Sequence, residues 1–239
     1  GDVPARRMTG SWAGAMGHTQ FIPTSYQSFA VDFTGDGKRD IWSDDPTDAL
    51  ASTAAYLAKS GWKTGKPWGV EVRLPKGFKY TLANRKILKS PAQWAAIGVT
   101  DMNGRAVPNR HGKGSILLPA GGNGAAFMIF SNFSAIERYN TADAYVIGVG
   151  HLSDRIKGGP PIKGKWPYGD RALTFKERIE LQRRLTRAGF DTQKIDGKIG
   201  PLTINAVRAF QQAKGLTPDG YASLALLKRL RKGSGGFKP

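Results

Sequence analysis

Between Lys157 and Pro167 the chain reads Lys-Gly-Gly-Pro-Pro-Ile-Lys-Gly-Lys-Trp-Pro. Proline fixes φ and has no amide proton, and glycine loses the most entropy on ordering, so neither helix nor strand continues through such a run. A chain of 239 residues interrupted there divides into a portion over residues 1–152, a linker over 153–171 and a small compact portion over 172–232.

Each portion has the means to fold. Apolar residues make up 40% of the chain and aromatic residues 10%, which argues against general disorder despite 31 Gly and 14 Pro. No apolar run approaches the roughly 18 residues of a membrane-spanning helix. The absence of Cys removes thiol catalysis, Cys-held zinc and disulfides, and leaves the compartment open. The first residue is Gly, with no signal peptide after it, so the expectation is a piece of a longer product.

Charge is unevenly spread. Up to Leu152 there are 17 basic and 11 acidic residues, for +6; beyond it 19 and 7, for +12 on a shorter stretch. Such a field suits a polyanion such as nucleic acid, anionic lipid or an anionic wall polymer, and equally suits a solvated basic surface. No RNP signature, zinc finger or basic heptad array is present, so no nucleic-acid partner is expected.

Past the linker, Thr174-Phe-Lys-Glu177 has the capping-box pattern. Ile179, Leu181, Leu185 and Ala188 then give helical spacing, and Gly189 is placed to stop the helix. A turn at 195–201 leads to a helix with Ala206, Val207 and Phe210 that Gly215 ends. The Asp219-Gly220 turn opens a last helix with Leu224, Leu227 and Leu230. The spacing predicts a three-helix bundle.

The first portion mixes signals. Asp45 and Pro46 suit the start of a helix to Ser60, with Gly61 as its stop. Alternating runs at Val70–Leu74 and Phe78–Leu82 have the pattern of strands, and Ser115–Leu118 and Ala126–Phe130 flank a Gly-rich loop as a hairpin would. Thr141 stands where it could cap a closing helix through Ala144, Val146, Ile147 and Val149. The fold class expected is mainly α with some β: a helical domain with a small β insertion, followed by the bundle.

The most informative run is Gly10-Ser-Trp-Ala-Gly-Ala-Met-Gly-His-Thr-Gln-Phe-Ile-Pro-Thr-Ser-Tyr26. Its glycines allow backbone to approach a ligand closely, and Gln20 both donates and accepts, as sugar hydroxyls and acetamido groups require. By composition alone it also reads as a tight loop between helices with a capping Ser. The run resembles a motif of the membrane-bound lytic transglycosylase B family, which has a lysozyme-like fold. The resemblance continues through Asp32–Gly37, Asp48–Leu57, Asn132-Phe, Arg138–Asn140 and Tyr145. It implies that Ser11 and Gln20 line a saccharide cleft and that Tyr56, Tyr139, Asn140 and Tyr145 surround the reacting sugar. Taken singly, each Tyr equally suits a core with its hydroxyl satisfied.

The resemblance further implies cleavage of the MurNAc–GlcNAc bond of peptidoglycan with 1,6-anhydroMurNAc formed, one Glu serving as acid and then base without a catalytic cofactor. In the family that Glu lies upstream of the glycine motif. This chain has Glu71, Glu137, Glu177 and Glu180, none at the matching position. Glu137, next to Arg138 and Tyr139, reads as a helix-surface ion pair. The catalytic residue is therefore expected outside the chain.

Asp32-Phe-Thr-Gly-Asp-Gly-Lys-Arg-Asp40 resembles the start of an EF-hand loop. Asp32, Thr34 and Asp36 take positions one, three and five, and Lys38 offers a carbonyl. Ser43 stands where the bidentate Glu would be, and by the family pattern Asp48 completes a structural Ca²⁺ site. A metal-free Asx-rich turn is the other reading, and Asp48 could equally serve the helix dipole.

Residues 172–232 resemble the peptidoglycan-binding domain 1 family, through Leu181-Gln, Leu185, Gly189, Ile195–Thr203, Ala206-Val, Phe210-Gln, Gly215-Leu and Asp219-Gly220. Asp196 and Asp219 before Gly are turn-formers first. Together the resemblances imply a monomeric, exported, periplasmic or envelope-associated enzyme on peptidoglycan glycan strands, with a membrane anchor upstream. The rival readings are a non-catalytic peptidoglycan-binding or scaffold protein, and a polyanion binder using the basic tail.

Overall fold

The computed structural model of the protein describes residues 1–233. It forms two compact units: Gly1–Trp68 with Ser131–Ser153, and Gly69–Phe130 with the chain from Asp154 on. The first holds helices α1 (Pro23–Phe29), α2 (Thr47–Lys59), α4 (Ser131–Glu137) and most of α5 (Asp143–Ile156). The second holds strands β1 (Gly69–Arg73), β2 (Thr100–Asp101), β3 (Ser115–Leu117) and β4 (Ala126–Ile129), the short helix α3 (Pro91–Ala95), and helices α6 (Phe175–Arg187), α7 (Pro201–Ala213) and α8 (Leu224–Gly233). The expected class, mainly helical with a small β insertion and a three-helix bundle, is the one observed.

The sheet is antiparallel in the order β2-β1-β4-β3, with Val70 opposite Met128 and Ile116 opposite Met128 on the other side. Its core gathers Val72, Phe78, Trp94, Val99, Ile116 and Met128. Trp94, fully buried, satisfies its indole N–H on the Gly114 carbonyl at 2.9 Å. The β3–β4 hairpin matches expectation; Phe78–Leu82 does not form a strand. The Phe78 amide closes a turn onto the Pro75 carbonyl and Tyr80–Leu82 form one 3₁₀ turn. The alternation there reports burial of Phe78 against the sheet and not a place in its ladder.

Three helices stop alike. After α2, α6 and α7, Gly61, Gly189 and Gly215 take φ of +93°, +87° and +64°. The amides of Trp62, Phe190 and Leu216 then return to the carbonyls of Leu57, Leu185 and Gln211. This is the Schellman closure, which needs the left-handed backbone that glycine adopts without strain. Helix α6 begins with the full capping box of Thr174 and Glu177.

The bundle is pinned by one device used twice. The carboxamide of Gln182, buried on α6, accepts from the Gly197 amide at 2.8 Å and donates to Asp196 at 3.1 Å. On α7, Gln211 accepts from the Gly220 amide at 2.8 Å and donates to Asp219 at 2.6 Å. Each amide thus clamps the Asp-Gly turn that follows its helix. In the same unit the Asp219 carboxylate also accepts from the Gly122 amide of the β3–β4 loop at 2.7 Å. The Arg208 guanidinium donates to the Tyr80 carbonyl at 3.2 Å. The Pro/Gly run follows a defined path: Glu71 accepts from the amides of Lys163 and Gly164, and the Lys165 carbonyl accepts from Ala125.

Two outcomes follow from these contacts. Gln182→Ala orphans the Gly197 amide in the core, and protection of the α6 amides in native-state hydrogen exchange should fall by ~2–3 kcal/mol. Arg231 and Arg184 hold the Glu180 carboxyl down at about 2, against an ordinary 4.5. A depressed acid stabilises fully above its ordinary value and loses that effect as pH falls towards its folded value. Glu180→Gln should therefore flatten the loss of helical circular dichroism on acidification from 4.5 to 2.

Candidate functional site

In the first unit, the run from Gly10 folds into a tight double-backed loop. Bridges join Gly10 to Met16 and Met16 to Phe21. The Ser11 amide donates to the Ala15 carbonyl at 2.7 Å, and its hydroxyl accepts from the Ala15 amide at 3.2 Å. Ser11 thus shapes the loop. Gly10 and Gly17 are required by space: a Cβ would meet the Ala15 carbonyl at 2.6 Å and the Ile41 carbonyl at 2.4 Å respectively. Gly17 is thereby pressed onto Ile41, which is fully buried.

Gln20 holds a left-handed backbone, φ +53°, a conformation that costs a non-glycine residue ~1 kcal/mol or more and is concentrated at functional positions. Its amide nitrogen donates to the Gly17 carbonyl at 2.9 Å. Its side-chain oxygen accepts no hydrogen bond among the described residues. With Thr9, Gly10, Gly17, His18 and Trp42, Gln20 lines a cavity of about 340 Å³. His18 Nε2 pairs with the Ser43 carbonyl at 2.9 Å, and the Trp42 indole donates to the Thr9 carbonyl at 2.9 Å. Sequence reading passed over His18 and Trp42. It also passed over Trp12, whose side chain is fully exposed within the glycine motif. The signal available for Trp12 was its place next to Ser11; Trp42 lies beyond the acidic loop and gave none.

Phe21, next to Gln20, is the hub of an aromatic cluster. Its ring lies 5.8 Å from both Tyr56 and Tyr139, which are 4.7 Å apart, and Tyr145 stacks on Tyr139 at 6.4 Å. The Tyr56 hydroxyl donates to the Arg138 carbonyl at 2.6 Å, and that of Tyr139 to the Thr19 carbonyl. Desolvation raises the Tyr139 phenol to about 12, so it is a neutral donor at any physiological pH. Tyr145 is half-buried, also pushed up by desolvation, and its hydroxyl has no hydrogen-bond partner among the described residues. The Asn140 carboxamide accepts from the Ala142 amide at 2.9 Å, shaping the entry to α5, which begins at Asp143. Tyr56, Tyr139 and Tyr145 are thus brought together, and Ser11 and Asn140 have their side chains in local turns.

The acidic loop sits behind the glycine motif. Asp48, 4% exposed on α2, accepts from the amides of Phe33 at 2.9 Å, Thr34 at 3.1 Å and Asp40 at 3.1 Å. Asp32 accepts from the amides of Gly35 and Gly37, and Asp36 from that of Lys38. Thr34 donates its hydroxyl to Asp32 at 3.4 Å. One carboxylate oxygen from each of Asp32, Asp36 and Asp48 lies within 4.8 Å of the others. Within the loop, Arg39 forms a two-pronged pair with Asp2, which holds the Asp2 carboxyl far below the usual carboxylate range. The Tyr26 hydroxyl donates to the Arg39 carbonyl at 2.9 Å and is raised to about 12 by burial.

The four glutamates divide between the units. Glu71 receives the 163–164 amides, Glu177 caps α6 and pairs with Arg171 at 2.6 Å, and Glu180 pairs with Arg184 and Arg231. These three belong to the second unit; Glu137, at the end of α4, belongs to the first.

Comparison with known proteins gives a consistent picture. Residues 176–230 match the peptidoglycan binding domain family. The chain is 36% identical over 155 residues to membrane-bound lytic murein transglycosylase B of Escherichia coli (strain K12), covering 62% of this chain and 40% of that protein. It superposes on SltB3 of Pseudomonas aeruginosa, solved with NAG-NAM-pentapeptide and with NAG-anhNAM-pentapeptide, with a TM-score of 0.89 and 54% identity, covering 97% of this chain and 62% of that one. SltB1 of Pseudomonas aeruginosa gives a TM-score of 0.51 at 32% identity, covering 65% and 54%. The chain thus spans less than two thirds of each of these relatives. Residues 1–154 match the transglycosylase SLT domain across the glycine motif, the acidic loop and the tyrosine cluster, and the chain belongs to that family.

Proposed function

We propose that this chain is the saccharide-binding and wall-binding part of a peptidoglycan lytic transglycosylase of the cell envelope. The observation that carries this reading is the gathering of Gln20, its cavity and the Phe21-centred tyrosines in one unit of a chain 54% identical to SltB3. SltB3 is known with a NAG-NAM and a NAG-anhNAM ligand, which differ by the internal ether that such an enzyme would form.

In this reading a carboxylic acid protonates the glycosidic oxygen and the bond to the MurNAc C1 breaks. The sugar's own 6-hydroxyl then closes on C1 and returns its proton to the carboxylate, so no water is consumed. Gln20 binds an acetamido or hydroxyl group through its unfilled acceptor, and Tyr145 presents an apolar face and a hydroxyl to a pyranose. Tyr56 and Tyr139 hold the wall of the cleft by tying α2, the 138–140 turn and the glycine motif together. Ser11 and Asn140 set the backbone that lines it. In this reading the acid lies outside the four glutamates of this chain: none stands at the position the family resemblance implies, and Glu71, Glu177 and Glu180 are engaged in the second unit. Residues 172–232 hold the polymer, and 153–171 connect the two functions.

The donor set of the acidic loop fits a structural Ca²⁺. Calcium–oxygen bonds of about 2.3–2.6 Å allow two ligand atoms to be at most about 5 Å apart, a limit that the three carboxylates meet by lying within 4.8 Å of one another. Asp32, Thr34, Asp36, Asp48 and the Lys38 carbonyl would hold it, and its charge would neutralise carboxylates behind Ile41 and Gly17.

The engagement of three glutamates elsewhere also favours a non-catalytic wall-binding protein, and one experiment separates the readings. The purified chain should sediment with isolated peptidoglycan and release no 1,6-anhydro ends detectable by mass spectrometry. Release of such ends, lost on Glu137→Gln, would overturn the assignment of the acid. In the enzyme complete with its acid, Gln20→Ala should lower turnover about 100-fold, as loss of one aligned transition-state partner does, with sedimentation unchanged. Unchanged turnover removes Gln20 from the cleft, and absence of turnover in the complete enzyme leaves the binding-protein reading.

For the metal, calcium at 100 times its dissociation constant stabilises by about 2.7 kcal/mol. The thermal midpoint should therefore rise with Ca²⁺ over chelator, and Asp36→Asn should abolish the rise. Equal midpoints with and without Ca²⁺ would leave a metal-free turn.

A further inference from the structure

The second unit contains a cavity of about 440 Å³ where the β insertion meets α6 and α7. Its lining combines the aliphatic side chains of Leu118, Ile199 and Ile204 with three guanidinium groups: Arg85, Arg178 on α6 and Arg208 on α7. The one carboxylate there, Asp219, is already committed to the Gln211 amide at 2.6 Å, the Tyr221 amide at 2.8 Å and the Gly122 amide at 2.7 Å.

Two of the guanidiniums are under-satisfied. The Nε atoms of Arg178 and Arg208 are buried without a hydrogen-bond partner. Arg208 has the Tyr80 carbonyl at 3.2 Å for one of its N–H groups, and Arg178 lies 5.9 Å from the Phe175 ring. Burial pushes the Arg208 guanidinium down despite Asp219. Buried polar groups are paired in more than about nine cases in ten, so an orphaned Nε on each of two arginines that line one cavity is exceptional. Planar guanidinium donors match a carboxylate, which fills several N–H groups at once and supplies the missing charge. Inorganic phosphate would answer the charge and leave the aliphatic walls uncovered.

We propose that this cavity binds a short peptide through a free carboxylate, which pairs with Arg178 and Arg208 while small aliphatic side chains cover Leu118, Ile199 and Ile204. Its source, the peptide stem of peptidoglycan, rests on the function proposed above. The composite origin of the cavity has a consequence: recognition needs the β insertion as well as the helical bundle. The two are held in register by Asp219 on Gly122 and Arg208 on Tyr80.

The test is isothermal titration of the whole chain with a soluble stem pentapeptide, its carboxyl-amidated form, and inorganic phosphate. The acidic peptide should bind at least about tenfold more tightly than the amidated form and than phosphate, and Arg178→Gln should remove that preference. Arg208→Gln should do the same; because it also releases Tyr80, Arg178→Gln decides where the other variant fails to fold. Equal binding of the amidated peptide, unchanged affinity in Arg178→Gln, or phosphate binding as tight as the peptide each overturns the proposal. Sedimentation with intact wall is read in parallel. Sedimentation without peptide binding sinks this inference and spares the wall-binding reading. Peptide binding without sedimentation keeps the site and removes its assigned source.

Discussion

The buried carboxylate of Asp48 is the constraint on which the first unit depends. A charge that is 4% exposed must be matched, and three amides of the acidic loop match it. Unpaired, a buried carboxylate would be strongly destabilising. The loop is therefore fixed at its entry, at Phe33 and Thr34, and at its exit, at Asp40, with α2 as the rigid support. Ile41 follows at once, and the glycine motif rests on it so closely that Gly17 has no room for a Cβ. Position thus passes from a helix to a carboxylate, to a loop, to the backbone that presents Gln20.

The second unit uses neutral groups to the same end. Gln182 and Gln211 each close an Asp-Gly turn with both ends of the amide, and Asn132 in the first unit does likewise for the turn at 63–66. These side chains reach from a helix onto the backbone of a nearby turn, so the connections gain definition without a larger core. Asp219 goes one step further, since the carboxylate that shapes its own turn also holds Gly122. A turn-forming residue is in this way also a docking residue, and that extends the bundle onto the β insertion.

Much of this was legible in the sequence. Gly61, Gly189 and Gly215 marked helix ends, and the capping box at Thr174 marked a beginning, because those signals are local and steric. Phe78–Leu82 misled because alternation reports burial, which a strand and a loop folded across a sheet both satisfy. The motif residues were named by pattern, and the contacts each of them makes were not. Spacing does not reveal that the Tyr56 and Tyr139 hydroxyls end on the carbonyls of Arg138 and Thr19, or that Ser11 closes onto Ala15, since each pairing depends on how remote or irregular backbone comes together. The arginine cavity was invisible for the same reason: Arg85, Arg178 and Arg208 lie far apart in sequence and meet only through the docking of the bundle.

The contacts of the motif residues narrow the chemistry of the cleft. A family motif gathers residues that build a site and residues that work in it, and hydrogen-bond accounting tells them apart. Of the six residues proposed for a saccharide cleft, Tyr56 and Tyr139 donate their hydroxyls to backbone carbonyls, while the Ser11 hydroxyl and the Asn140 side-chain oxygen accept from backbone amides. The Gln20 carbonyl and the Tyr145 hydroxyl keep capacity for a ligand. Both are held by structure that leaves little freedom, Gln20 by a left-handed backbone and Tyr145 by stacking on a tyrosine that is itself tied to Thr19. A sugar entering this site would meet two preordered polar groups and an aromatic face, and the entropy of arranging them is already met by folding. Under the proposed function these residues would place the sugar, and the movement of protons would belong to the acid.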